Sequence, residues 1–152
     1  MQHAGMVHAL EETYRLLAPA GCLIDIHPAL SPTLIEVHRC RTILFSTQLP
    51  DESFEDIQCA EDALAQVIKE GLFVVERRDQ FDWRTYASSV AELLDYIIEE
   101  SGYQEEPSAE LDALRKSDLP DRVQEVLQVA GEGAEVARLY PACIARLKPV
   151  RR

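Results

Sequence analysis

Apolar residues fall at Met6, Val7, Leu10, Tyr14 and Leu17, a spacing that winds one stripe down a helix predicted over His3–Leu17. Ala18-Pro19-Ala20-Gly21 stops it, because proline restricts the residue before it and glycine permits the turn that follows. Cys22 to His27 is short, mostly apolar and closed by Pro28, which predicts a strand buried on both faces. Leu34 to Val37 and Thr42 to Thr47 are β-favouring runs on either side of His38-Arg39-Cys40-Arg41, the pattern of a hairpin. Ser53 is placed to cap a helix with Asp56 three residues on. Ile57, Ala60, Leu64, Val67 and Ile68 form its inner stripe, Gly71 is its stop, and Leu72 to Arg77 follows as a strand.

Ser89 and Glu92 form a capping box ahead of a periodic helix with Val90, Leu93, Leu94, Ile97 and Ile98 inward and Gly102 as its end. The polar stretch from Gln104 to Pro120 predicts a short helix around Ala109 to Arg115. Asp118-Leu119-Pro120 opens another, with Val123, Val126, Leu127 and Ala130 inward and Gly131 and Gly133 behind it. Val136 to Leu147 reads as a last strand, and Pro141 within it predicts an edge position or a bulge.

The stretch from Ala9 to Asp25 resembles a segment of class I S-adenosylmethionine-dependent methyltransferases, in which a helix with Glu and Arg runs through Leu-x-Pro-Gly-Gly into the fifth strand. Glu12, Arg15, Leu16, Leu17, Pro19 and Gly21 match, and Ala20 departs where the pattern has its first glycine. Ala63 to Arg77 is similar to the helix and sixth strand of that fold, and Tyr86 to Ile97 to the following helix. The resemblance implies an α/β fold: a partial Rossmann-like methyltransferase sheet, mixed with an antiparallel last strand, flanked by helices and carrying a β-hairpin. Residues 1–152 would form a single domain equivalent to the C-terminal half of the catalytic domain.

In that family S-adenosylmethionine is held mainly by the N-terminal half, through a glycine-rich turn after the first strand and an acidic residue ending the second. Neither is among these residues, so the resemblance implies no cofactor-binding residues and no catalysis in the isolated chain. The alternatives are half of an enzyme completed by a partner chain and a non-catalytic oligomeric interaction module. Gly131-Glu132-Gly133 imitates a nucleotide loop, but it follows a predicted helix where such loops open one, so it reads as a helix stop. Without the family's earlier strands, the strand at Cys22 to Ile26 has a bare apolar edge. A homodimer or a complementing N-terminal half is the partner expected there.

The formal charge is −12, from 15 Lys and Arg against 27 Asp and Glu. An acidic surface of that size disfavours nucleic acid and anionic membrane as partners. Cys22, Cys40, Cys59 and Cys143 form no Cys-x-x-Cys pair, and the N-terminus lacks the basic start and apolar stretch of a signal peptide, so a cytoplasmic protein with reduced thiols is expected.

Asp25 and His27 alternate on one strand and share a face at its carboxyl end. They are the candidate acid–base or hydrogen-bonding groups, set against a satisfied core Asp and a His at a loop edge. His27, His38 and Cys40 fall short of four converging ligands, and no metal site is expected. His3 and His8 do not share a face well and read as solvated. Asp51, Glu52, Glu55 and Asp56 read as a charged helix start, and Phe81, Trp83 and Tyr86 as aromatic core.

Overall fold

The computed structural model describes residues 3–50, 52–101 and 109–151. The chain is α/β, with a five-strand antiparallel open sheet flanked by helices. Its elements are α1 (His3–Leu16), β1 (Leu23–Pro28), β2 (Leu34–Arg39), β3 (Thr42–Gln48), α2 (Glu55–Lys69), β4 (Phe73–Ala87), α3 (Val90–Ser101), α4 (Ala109–Lys116), α5 (Leu119–Ala130) and β5 (Ala134–Pro149). The hydrogen-bonded order is β1-β5-β2-β3, with β4 also on β5. The chain divides into two compact units, and the long strands β4 and β5 contribute to both. Among the described residues no helix is long and apolar enough to cross a membrane.

Unit 1 comprises Met1–Ser31, Ser53–Phe81 and Pro141–Arg152. Val7, Ala63, Leu64, Val67, Phe73, Ala145 and Leu147 form its core, with Met6, Leu10 and Leu23 packed against it. The Tyr14 ring meets Phe73 edge-on at 5.6 Å, and its hydroxyl donates to the carbonyl of Val150. Arg151 donates to the carbonyls of Tyr14 and Leu17, satisfying acceptors that the end of α1 leaves open. The turn behind α1 needs its glycine: a Cβ at Gly21 would stand 3.0 Å from the carbonyl oxygen of Ala18, whose bond from Gly21 N closes the turn. Gly71, at φ +79°, turns the chain from α2 into β4, as the pattern predicts. α2 starts differently. Phe54 occupies the N-cap without a side-chain bond, and Ser53 Oγ lies only within 3.5 Å of Glu55 N, so the expected Ser53–Asp56 cap is not built.

β1 pairs antiparallel with β5, Leu23 opposite Leu147, Asp25 opposite Ala145 and His27 opposite Cys143. It is not buried on both faces. Leu23, Asp25 and His27 are partly covered, while Ile24 and Ile26 on the other face are 49% and 58% exposed. An apolar run does not say which alternate residues turn inward. Here the face with Leu23 packs on the unit 1 core and takes the two polar residues with it.

Unit 2 comprises Pro32–Glu52 and Asp82–Tyr140. Its core holds Ile35, Val37, Leu93, Ile97, Leu114, Val123 and Val136. The predicted hairpin is present as β2 and β3, joined through Cys40 and Arg41, both at positive φ, with a register shift at Val37/His38. Glu92 N donates to Ser89 Oγ at 3.2 Å, half of the predicted capping box. The Glu92 carboxylate returns to Ser88 N and Oγ instead of Ser89. α4 and α5 lie where the pattern predicts them, and α5 ends at Gly131. The Gly102 stop and residues 104–108 fall outside the described residues.

Three further expectations are corrected. The strand from Leu72 does not end at Arg77: β4 continues through Tyr86 to Ala87, and the helix that was to include Tyr86 begins at Val90. Phe81, Trp83 and Tyr86 are therefore exposed strand residues and not core. Pairing with β5, more than burial, defines β4 as a strand, and charge does not prevent it. The sheet is antiparallel where a mixed one was expected, since the hairpin partners and the last strand supply its pairs. Finally, β5 is no edge strand. Pro141 falls between the stretch 134–139 that pairs with β2 and the stretch 142–147 that pairs with β1, where its missing N–H breaks neither ladder.

Candidate functional site

β1 and β2 carry one pattern twice: Leu23-Ile24-Asp25-Ile26-His27 and Leu34-Ile35-Glu36-Val37-His38. β5 answers with Ile144-Ala145-Arg146-Leu147 and Val136-Ala137-Arg138-Leu139. The registers agree as well. Leu23 and Leu34 each oppose a leucine of β5, and Asp25 and Glu36 each oppose an alanine. Each unit therefore sets an acid and an imidazole side by side on one strand face.

In unit 1 the pair gathers groups from three other elements. His27 Nδ1 lies 2.8 Å from the carbonyl oxygen of Pro28; a carbonyl only accepts, so this nitrogen carries a proton. His27 Nε2 then faces Asp25 Oδ2 at 3.2 Å and Glu61 Oε1, from α2, at 3.4 Å. These are ion-pair distances without hydrogen-bond alignment: Asp25 Oδ2 and His27 Nε2 are buried atoms with no aligned partner among the described residues. Arg78 of β4 is paired with Glu61. Burial works against the Arg78 charge, yet its bond to the Cys143 sulfur and the adjacent Glu61 raise its pKa. Gln80 also donates to Cys143 Sγ, at 3.7 Å.

Asp25 has its pKa raised. Burial is the main cause; His27 and Arg78 pull it down, and Glu61 pushes it further up. Folded chains therefore bind more protons at this carboxyl than unfolded ones between its ordinary value and its raised one. Stability falls as pH rises through that window. Asp25→Asn removes the ionisable group. In dilute solution it is expected to gain stability at pH 7 and nothing below the ordinary carboxylate range, read from urea unfolding across pH. An equal effect at both pH values would contradict the assignment.

In unit 2 the same pattern is satisfied. Glu36, only 3% exposed, lies 2.6 Å from His38 Nε2 and accepts from Arg84 Nε at 3.2 Å. The His38 ring meets Tyr86 edge-on at 5.5 Å, and Arg84 also reaches Asp82. Two donors on one buried carboxylate make a structural clasp.

The structure thus brings Asp25 and His27 together, as their spacing implies, and adds Glu61, Arg78, Gln80 and Cys143. Spacing alone misses these four, because α2, β4 and β5 meet β1 only through the tertiary fold. The Glu36–His38 pair, by contrast, is visible in sequence as the second copy of the pattern. Chemically, the unit 1 cluster sets His27 Nε2 within ion-pair reach of two carboxylates, Asp25 and Glu61. It does not build a cysteine nucleophile: the Cys143 sulfur takes donors from Arg78 and Gln80, and both His27 nitrogens are directed elsewhere. Among the described residues no group of three His, Cys, Asp or Glu could hold a metal ion. No protein-family model matches the chain, and neither a curated protein nor a solved structure does.

Proposed function

We propose that the chain is a methyltransferase-like interaction module: it keeps the second-half architecture of that fold, does not catalyse by itself, and works by taking another strand onto β1. The helix–Pro-x-Gly–strand entry with its close turn at Gly21, the glycine step from α2 into β4, and a last strand antiparallel to β1 all support the resemblance. The observation that carries the reading is the position of β1. It stands at one end of the strand order, with β5 as its neighbour and Ile24 and Ile26 open to solvent. An edge strand with exposed β-branched residues is a template for a further strand.

The turn and the acidic strand end that hold S-adenosylmethionine in that family are not among these 152 residues. Calorimetric titration of the purified chain with S-adenosylmethionine and with its demethylated product is therefore expected to give no saturable heat. Saturable micromolar binding would overturn the reading.

A further inference from the structure

We propose that β1 pairs with β1 of a second copy of this chain, antiparallel and with Ile26 on the two-fold axis, so that Asp25 of each copy stands opposite His27 of the other. This rests on the reading of β1 as the strand-accepting edge and names what it accepts.

The direction of the main-chain groups comes first. Ala29 N donates to the carbonyl of Pro141 at 2.7 Å, continuing the ladder in which Pro28 opposes Ala142. Main-chain groups alternate in direction along a strand. Leu23, Asp25 and His27 therefore turn theirs to β5, and Ile24, Ile26 and Pro28 turn theirs to the free edge. Pro28 has no N–H, and its carbonyl, which accepts from His27 Nδ1, has a second lone pair to offer a partner strand.

Of the self-pairings that fit this alternation, the two with the longest overlap along Leu23–Pro28 place Asp25 or Ile26 on the axis. With Asp25 on the axis, Ile24 faces Ile26 of the second copy, but the two Asp25 carboxylates confront one another on a partly covered face. With Ile26 on the axis, the two Ile26 residues exchange both bonds, and each Ile24 N–H meets a Pro28 carbonyl. Asp25 now stands opposite His27 of the second copy. Like charges directly opposed destabilise an antiparallel pair, and a carboxylate set opposite an imidazole avoids that confrontation, so the second register is selected. It also supplies partners for Asp25 Oδ2 and His27 Nε2, buried atoms without an aligned bond among the described residues. On the outer face Ile24, Ile26 and Ile144 of each copy form one apolar strip, since Ile144 lies opposite Ile26 on β5.

β2 supplies the internal precedent. It has the same five-residue pattern in the same register on β5, but its other edge is covered by β3, and Ile35, Glu36, Val37 and His38 are all buried. Among the described residues β1 has no such cover, and its complementary acid–imidazole pair fits a second β1.

The test uses the full chain in a Cys40→Ser background, which removes the exposed native thiol. Light scattering is expected to give twice the mass of the 17.1 kDa chain. Ile26→Cys is expected to form an intermolecular disulfide on mild oxidation, because residues facing each other on the axis of a hydrogen-bonded pair have Cα atoms about 5.5 Å apart, within disulfide reach. Ile24→Cys, displaced from its own copy along the ladder, is expected not to. Both sites are exposed, and circular dichroism confirms that the variants fold. Asp25→Asn gives a second readout. It stabilises the dilute single chain as stated above, yet is expected to raise the dimer dissociation constant about a hundredfold, the loss of two symmetry-related contacts, one from each copy. A monomer, or a dimer cross-linked through Ile24→Cys and not Ile26→Cys, would overturn the inference. Failure here does not alter the donor titration above, whereas saturable donor binding would overturn the module reading without changing the mass.

Discussion

Replacing Glu36 with alanine is expected to destabilise the chain by about 3–5 kcal/mol, the range for removing one member of a buried ion pair. Glu36 is buried on β2, His38 Nε2 lies 2.6 Å from its carboxylate, and Arg84 Nε donates to it at 3.2 Å. Its loss leaves the Arg84 Nε–H and an imidazole N–H without their acceptor, and two unsatisfied donors cost more than the two hydrogen bonds contributed. Glu36→Gln keeps the volume and one acceptor oxygen, so it is expected to lose less. Guanidinium unfolding of the three proteins at pH 7 checks the order, wild type above Gln above Ala. A Glu36→Ala loss below about 1 kcal/mol, the range for exposed pairs, would show that the clasp is not desolvated. The contrast with Asp25 is informative. The same strand pattern gives a satisfied carboxylate in unit 2 and an unsatisfied one in unit 1, so the two substitutions move stability in opposite directions in dilute solution.

Leu147→Ala is expected to cost about 2–5 kcal/mol. Leu147 is fully buried in the unit 1 core with Val67, Phe73 and Ala145, and stands opposite Leu23 across the β1–β5 ladder. Truncation removes apolar area and leaves a void that its neighbours on α2 and β4 fill only in part. Ile24→Ala, on the same strand pair but facing outward, is expected to change the stability of the dilute chain by about 0.5 kcal/mol or less, as for other surface positions. Thermal unfolding of both variants separates the two faces. Equal losses would mean that the open face of β1 is covered.

Much of the fold was legible because local chemistry and tertiary structure agree. The stripe from Met6 to Leu17, the glycine after α2 and the proline at the start of α5 each allow one local solution, and the chain adopts it. β1 and β4 were misread for different reasons. The aliphatic run at Leu23 to Ile26 suggested burial, but alternation turns Ile24 and Ile26 away from the core. The strand predicted over Leu72 to Arg77 is only the start of β4, since pairing with β5 carries it through the charged residues that follow to Ala87. Pro141 predicts an edge position or a bulge because a local rule cannot show that one strand passes from one partner to another at that residue. Asp25 and His27 were legible by their spacing. Glu61 and Arg78 were not, since nothing in their own neighbourhoods distinguishes them from other charged residues of α2 and β4.

Backbone amide exchange at Ile24 and Ile26 tests most directly that β1 is an open edge taken up by a second copy. In concentrated solution these two amides are expected to exchange slowly and to speed up on dilution, while those of Asp25 and His27, turned toward β5, remain slow throughout. Fast exchange at Ile24 and Ile26 at every concentration would contradict the account.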